Sequence, residues 1–273
     1  QSSESLAGRI AFLHLHGLNI FELGQDYLDA LWVRGNFPKS VLARSDKSSR
    51  VWRENYISTF LERDIPALGI QIPSGTLRRF WTMLAHNHGQ LINYSELGRN
   101  FGISDMTVRK YLDILQATFM IRIYQPWYEN VGKRLVKRPK IYFRDSGLLH
   151  ALLSLETKPE IQSHPKLGAS WEGFVMEIIT RSINLPESAF YFWRTQHGAE
   201  LDLFWQNNGH NWGVEIKYSD APRLTPSMKN ALTDLKLSHI WVIYPGNNVY
   251  KIHEKITVLP LMKIKQNWEY HLT

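Results

Sequence analysis

Apolar residues recur every three to four positions through the first half of the chain and give way to short, dense apolar runs in the second. Residues 11–15 read as a short strand. Residues 21–32 read as a helix stopped at Gly35 and Pro38. Trp52, Tyr56, Phe60, Leu61 and Ile65 lie about four apart, which predicts a helix over 51–65 ending at Pro66. Gly69, Pro73, Ser74 and Gly75 look like a linker. Three helices are predicted next: near 77–87, over 95–101 with Ser95 as cap, and from a Ser104 cap to about 118. Val108, Leu112, Leu115 and Phe119 form the apolar stripe of the third. Strands are predicted over 119–124 and 140–143. The remainder reads as a helix (167–183), three strands (190–193, 201–205 and 212–218), a helix (227–237), a buried strand (240–244) and one or two edge strands within 249–264.

This order divides the chain into a mixed, mostly helical stretch (1–75), a middle region (76–150) and a C-terminal α/β region (151–273). Helix, helix, Gly-bearing turn, helix and β-hairpin is the order of a winged helix-turn-helix. Helix, β-meander, helix, strand is the order of the restriction-endonuclease-like, or PD-(D/E)xK, mixed-sheet core. The expected fold is thus α+β to α/β, with a helical N-terminal region, a winged helix and a nuclease-like sheet domain.

Composition narrows the chemistry. The 273 residues include no Cys, which excludes disulfides, thiolate metal sites and a cysteine nucleophile and fits a reducing cytoplasm. With 10 Trp, 12 Tyr and 12 Phe the chain can build a sizeable core unaided. No apolar run reaches the roughly 18–20 residues of a membrane span, so no membrane partner is expected. The first residue is Gln1 rather than Met, so the chain is expected to begin inside a longer protein. A net charge of +7 and a pI near 9.5 point to a nucleic-acid partner, although a basic protein need have no polyanion to bind.

The strongest chemical signal is Asp202 followed by Glu215-Ile216-Lys217. Alternation along a strand puts Glu215 and Lys217 on one face. A turn at Asn207-Asn208-Gly209 would set Asp202 on the neighbouring strand. Glu200, two residues earlier, would share the face of Asp202, and Glu172 would approach from the preceding helix. Carboxylates of this kind suit Mg²⁺, which takes few of them and keeps several waters. Such a cation neutralises phosphate and activates water for phosphodiester hydrolysis, and the Lys217 ammonium would orient that water or stabilise developing charge. The motif is short, and acidic residues at strand ends are common in α/β proteins.

DNA contact is expected at the start of the third helix, from Ser104, Thr107, Arg109 and Lys110. The loop of the hairpin adds Lys133, Arg134, Lys137, Arg138 and Lys140, with Trp127 and Tyr128 just before it. Arg194 would reach the scissile phosphate or form a salt bridge with a neighbouring acid. The plain alternative is a solvated basic loop on a helical module that binds protein. His14 with His16, and His86 with His88, are weak zinc candidates that lack further ligands. Neither a Gly-x-Ser-x-Gly elbow nor a P-loop is present.

Several stretches together resemble the C-terminal half of a prokaryotic family of AAA-type ATPases. These are Leu6-Ala7-Gly8-Arg9, Leu31-Trp32-Val33-Arg34-Gly35-Asn36-Phe37-Pro38, and Tyr56-Ile57-Ser58-Thr59-Phe60-Leu61-Glu62-Arg63-Asp64-Ile65. The most specific is Lys137-Arg138-Pro139-Lys140-Ile141-Tyr142-Phe143-Arg144-Asp145-Ser146-Gly147-Leu148-Leu149, joined by Trp171-Glu172-Gly173-Phe174-Val175, Glu200-Leu201-Asp202 and Glu215-Ile216-Lys217. In that family a P-loop domain precedes a winged helix and a nuclease-like domain of unknown function. The resemblance implies Glu172, Asp202, Glu215 and Lys217 at metal-site positions. It also implies an ATPase half before Gln1, so that ATP enters only where that half is present, with Gly8-Arg9 a remnant of it. Two functions are expected from all this. One is Mg²⁺-dependent DNA handling, including phosphodiester cleavage. The other is a non-catalytic module that regulates an ATPase, binds a partner protein or self-associates.

Overall fold

A computed structural model describes Arg9 and residues 15–70, 72–128, 135–183, 185–265 and 268. Its first region is helical. The elements are α1 (Ile20–Leu23), α2 (Leu28–Arg34), α3 (Pro38–Val41), α4 (Asp46–Thr59) and α5 (Ile65–Ala67). The single helix expected over 21–32 is divided, because Gly24 adopts φ 88° between α1 and the turn that leads to α2. A π-helical turn, Phe60–Asp64, joins α4 to α5, so the chain stays helical past Pro66, which occupies the tolerant first turn of α5. The strand expected at 11–15 falls almost wholly outside the described residues.

Three helices and a hairpin follow: α6 (Ser74–His86), α7 (Tyr94–Phe101), α8 (Asp105–Ala117), β1 (Ile121–Pro126) and β2 (Lys140–Phe143). Ser104 caps α8 as expected, accepting from the Thr107 amide at 3.2 Å. The cap of α7 is Asn93 rather than Ser95, accepting from the Glu96 amide at 3.3 Å. Ser95 instead donates to Asp105 Oδ2 at 2.6 Å. Val108, Leu112 and Leu115 are buried, but Phe119 leaves the stripe, exposed at a left-handed φ of 61°.

Two helices not anticipated, α9 (Ser146–Leu152) and α10 (Lys158–Ser163), lead into α11 (Leu167–Ser182). The rest is β3 (Tyr191–Arg194), β4 (Glu200–Asn207), β5 (His210–Ile216), α12 (Pro226–Asp234), β6 (His239–Tyr244), β7 (Tyr250–His253) and β8 (Ile256–Pro260). The β4–β5 turn is built as the sequence suggests, since Asn208 and Gly209 take the paired positive φ values, 51° and 76°, of a tight hairpin.

The eight described strands form one mixed sheet in the order β2-β1-β3-β4-β5-β6-β8-β7. β8 lies between β6 and β7 and is therefore interior, while β7 is the edge. The middle region does not stand apart from the sheet. β1 pairs with β2 through its first four residues and with β3, in parallel, through Gln125 and Pro126. One core lies beneath α11 and includes Trp32, Trp171, Leu203, Trp205, Val214, Ile216 and Trp241. A second fills the opposite face beneath α12, with Leu201, Phe204, Met228, Ile240 and Val242. A third holds α6, α8 and the hairpin together. No described helix is long and apolar enough to cross a membrane.

Candidate functional site

The β4–β5 ladder closes at the pair Leu203–Val214, so Asp202 and Glu215 stand opposite each other just beyond it. There the strands part, and the Asp202 carboxylate fills the gap by accepting the Ile216 amide proton at 2.8 Å. A bulge explains the parting. Two steps on β3, from Trp193 to Tyr191, match three on β4, from Leu201 to Phe204. Leu201 and Phe204 consequently share the α12 face, while Leu203 and Trp205 pack under α11. Bulges of this kind re-aim side chains and recur beside active sites.

Glu200 itself lies ahead of the bulge, in regular register with Arg194, and it and Asp202 both act on the Lys140 ammonium. Glu200 turns to Arg194, whose Nη1 lies 2.8 Å from Oε2, and to the Lys140 ammonium. Arg194 thus forms the salt bridge foreseen as its alternative role. Glu172, on the first turns of α11, accepts from the Tyr142 hydroxyl and lies 3.4 Å from Lys140 Nζ. Gly173 makes that approach possible: a Cβ there would lie 2.4 Å from His88 Nε2. Lys217 Nζ sits 2.6 Å from Glu215 Oε1, while Glu215 Oε2 is buried with no hydrogen-bond partner.

Burial, reinforced by Glu172 and Glu215, holds the Asp202 carboxyl well above the ordinary aspartate range. Burial also raises Glu215, against the pull of Lys217. Desolvation alone would lower Lys140, yet Glu172, Tyr142, Asp202 and Glu200 together keep its pKa well above the usual lysine value. Lys217 is likewise raised, since Glu215 and Asp202 outweigh its desolvation.

Lys140 is the clearest correction. It begins the expected strand, β2, but it does not join the basic wing as a phosphate contact: it is 3% exposed and points among carboxylates. A signal for this was present: Lys140 and Tyr142 alternate on one face of an otherwise apolar four-residue strand. Of the other cations of that loop, Lys133 and Arg134 lie outside the described residues, while Lys137 and Arg138 are exposed. Trp127 packs on Tyr191 and Phe204 inside the core and is not offered to a base.

At the start of α8, Ser104 and Thr107 are engaged with each other, and Arg109 lies 3.9 Å above the Tyr94 ring. Lys110 is exposed. Met106, 80% exposed, opens onto a shallow, mainly apolar groove with Leu68, Ile70 and Ile114. His14 is outside the described residues, and both ring nitrogens of buried His88 are used, by the Phe143 amide and the Ala169 carbonyl. A zinc role for His88 therefore has no free donor.

Among the described residues, no group of three or more His, Asp or Glu side chains converges to hold a metal ion. Glu172 and Glu200 are already ion-paired, with Lys140 and Arg194. What remains poised is the pair Asp202 and Glu215, hard-oxygen donors of which one has an unpartnered buried oxygen. Two carboxylates with water are a sufficient protein share for Mg²⁺, so the donors present fit such an ion.

Residues 25–159 match the family model described as Domain of unknown function (DUF8612), and residues 167–264 match Domain of unknown function (DUF4143). The chain is 45% identical over 263 residues to Uncharacterized protein Rv2008c of Mycobacterium tuberculosis, and to Uncharacterized protein Mb2031c of Mycobacterium bovis. Each alignment covers 96% of this chain and 59% of the relative. The chain thus spans about three-fifths of the length of these curated relatives. No solved structure matches it significantly.

Proposed function

We propose that this chain is the winged-helix and PD-(D/E)xK-type portion of an AAA-type ATPase, and that its carboxylate site hydrolyses DNA phosphodiesters with Mg²⁺. The observation that carries the reading is Asp202 facing Glu215 at a bulged strand end, with Lys217 in contact and Glu215 Oε2 buried without a partner. Such an oxygen is left able to accept from a water or to meet an ion. Asp202 and Glu215 would hold the ion. When bound, Mg²⁺ would supply neutralisation of the phosphate and activation of water. The Lys217 ammonium stands ready to stabilise charge developing on the phosphate.

A basic rim supports the same reading. The Val136 amide donates to the Arg194 carbonyl at 3.1 Å, which ties the segment of the exposed Lys137 and Arg138 to the end of β3. Cations beside carboxylates would guide a nucleic-acid backbone toward the ion. The order α6, α7, α8, hairpin supports a winged helix, and Lys110 with Arg109 would supply further phosphate contacts. ATP would belong to a P-loop domain elsewhere in the whole protein.

One observation favours a second reading, a non-catalytic module docked on a protein partner. Ser104 and Thr107 are occupied with capping, and the groove beside Met106 is mainly apolar. The test is cleavage of supercoiled and branched DNA with Mg²⁺ or Mn²⁺, by the wild type, Asp202→Ala and Lys217→Ala. Cleavage that both substitutions abolish is the expected result. Salt-sensitive binding with no cleavage under either metal would leave a DNA-binding module, and no salt-sensitive binding would favour the protein partner.

A further inference from the structure

Four carboxyl groups (Glu172, Glu200, Asp202 and Glu215) and three cations (Lys140, Arg194 and Lys217) meet at the site. The cations are not equivalent. Arg194 ends β3, Lys217 follows directly on β5, and both are partly exposed. Lys140 comes from the hairpin of the middle region and is the only one of these three with its side chain almost wholly enclosed, 4% exposed. Its ammonium touches two carboxylates on two different elements, Glu172 of α11 and Glu200 of β4. It also lies 3.3 Å from the Tyr142 hydroxyl and 5.5 Å from the centre of the Phe192 ring. The Tyr142 hydroxyl and the Phe192 ring therefore take sides that water would otherwise solvate.

Building on the carboxylate-site reading above, we infer that Lys140 is the internal counter-cation of that site: its ammonium occupies the place between Glu172 and Glu200 that a divalent cation would contest. Two observations carry this beyond a simple cluster of acids. One is the bridging contact itself. The other is Glu215 Oε2, a buried carboxylate oxygen with no hydrogen-bond partner. A cation that enters beside Asp202 and Glu215 gains Glu172 or Glu200 as a ligand only when the ammonium withdraws. A third carboxylate ligand for the ion and the Lys140 contact then compete for the same oxygens, so each weakens the other by the same factor. Lys140 begins β2, and β1 joins that hairpin to β3. Release of the ammonium would thus pass directly to the hairpin that follows α8, so an ion at the acids and a ligand on the helical region would sense each other.

The test needs no nucleic acid and no turnover. Mn²⁺ is titrated calorimetrically into the wild-type chain and into Lys140→Met, which keeps the length and apolar stem of the side chain without its charge. The variant should bind Mn²⁺ about tenfold more tightly, within the usual range of site-to-site coupling. Its thermal midpoint should fall without metal and recover as Mn²⁺ is added, more steeply than that of the wild type. A second measurement covers a variant that fails to fold. In the wild type, Lys140 should resist an amine-acylating reagent without metal and become modified at saturating Mn²⁺, as read by mass spectrometry. Equal Mn²⁺ affinity in both proteins, or a Lys140 that stays protected at saturation, overturns the counter-cation role while the metal site stands. Failure of both proteins to bind Mn²⁺ at millimolar concentration overturns the metal site and this inference together.

Discussion

Helix α11 carries two glutamates five residues apart, and each meets the same hairpin with the opposite balance of charge. At Glu177 the excess is of arginine, with the 55% exposed Glu187 as a second carboxylate on Arg122 and Arg144. Glu177 Oε2 accepts from Arg122 Nε and Nη2 at 3.1 and 3.0 Å, and Oε1 accepts from Arg144 Nε and Nη2, both at 3.2 Å. Although burial opposes it, Arg122, Arg144 and Arg181 hold the Glu177 pKa below its ordinary value. At Glu172 the excess is acidic, and the nearby Asp202 and Glu215 are pushed up instead. A cleft of about 470 Å³ opens at the arginine end, lined in part by Arg144, Glu177 and Arg181, but both Glu177 oxygens are already occupied. The difference separates a structural clamp from a site. Charge that is matched oxygen by oxygen holds elements together, whereas unmatched charge of one sign must be stabilised by something that binds.

The largest effect that follows is on stability. Glu177→Gln leaves two buried arginines with the more exposed Glu187 as their shared carboxylate, and breaking a buried pair from one side costs about 3–5 kcal/mol. Glu215→Gln removes charge from the end that has too much of it and should leave stability unchanged or raised. Urea unfolding of the two variants decides the matter. Equal losses would mean that the acids near Glu172 are as structural as Glu177, and the distinction drawn here would fail.

The two ends should also respond to pH in opposite directions. The Glu177 pKa is lowered on folding, so its contribution is present above the ordinary carboxylate range and is lost as pH falls through the folded value. The Asp202 pKa is raised on folding, so its contribution is present at low pH and is lost as pH rises through the folded value. Over the interval where only the folded state holds that proton, stability falls by about 1.4 kcal/mol per pH unit. Asp202→Asn keeps an acceptor for the Ile216 amide but cannot ionise. Urea unfolding from about pH 4 to pH 8 should therefore show a falling limb in the wild type that is flattened in the variant. Identical profiles would place the retained proton elsewhere.

How much of this was legible in the sequence depended on how local the cause was. The Asn208-Gly209 turn and the Ser104 cap rest on the conformational preferences of adjacent residues, and both are where the pattern puts them. The pairing of Asp202 with Glu215 follows from that turn by counting. The bulge between Leu201 and Phe204 could not be counted, because it inserts a residue without leaving a mark in the polar pattern. Helix α9 was missed for a different reason. Six of its seven residues are buried, so it shows no polar face from which a period could be read. The position of Lys140 was the least accessible, since it depends on the parallel pairing of β1 with β3, partners more than sixty residues apart. A basic residue in a basic stretch reads as solvent-facing until the far strand is in place.

The smallest expected effect gives the finest test, because it sets two arginine–glutamate pairs against each other with distance and burial opposed. Arg194–Glu200, at 2.8 Å, is shorter than Arg144–Glu177, at 3.2 Å. By length alone the first should be the stronger. Its side chains, however, are 36% and 23% exposed, against 8% and 8% for the second. Water screens the shorter pair, and Lys140 already compensates Glu200 from its other oxygen. Arg194→Gln should therefore cost less than about 1 kcal/mol, whereas Arg144→Gln should cost several times as much by uncovering Glu177. If Arg194 is kept for a phosphate rather than for the fold, its loss should instead appear in DNA binding. The slope of log affinity against log salt would then shrink by about 0.9, the share of one phosphate contact. A large stability loss with an unchanged salt slope would return Arg194 to the structural class and leave the carboxylate end with one less reason to be called a site.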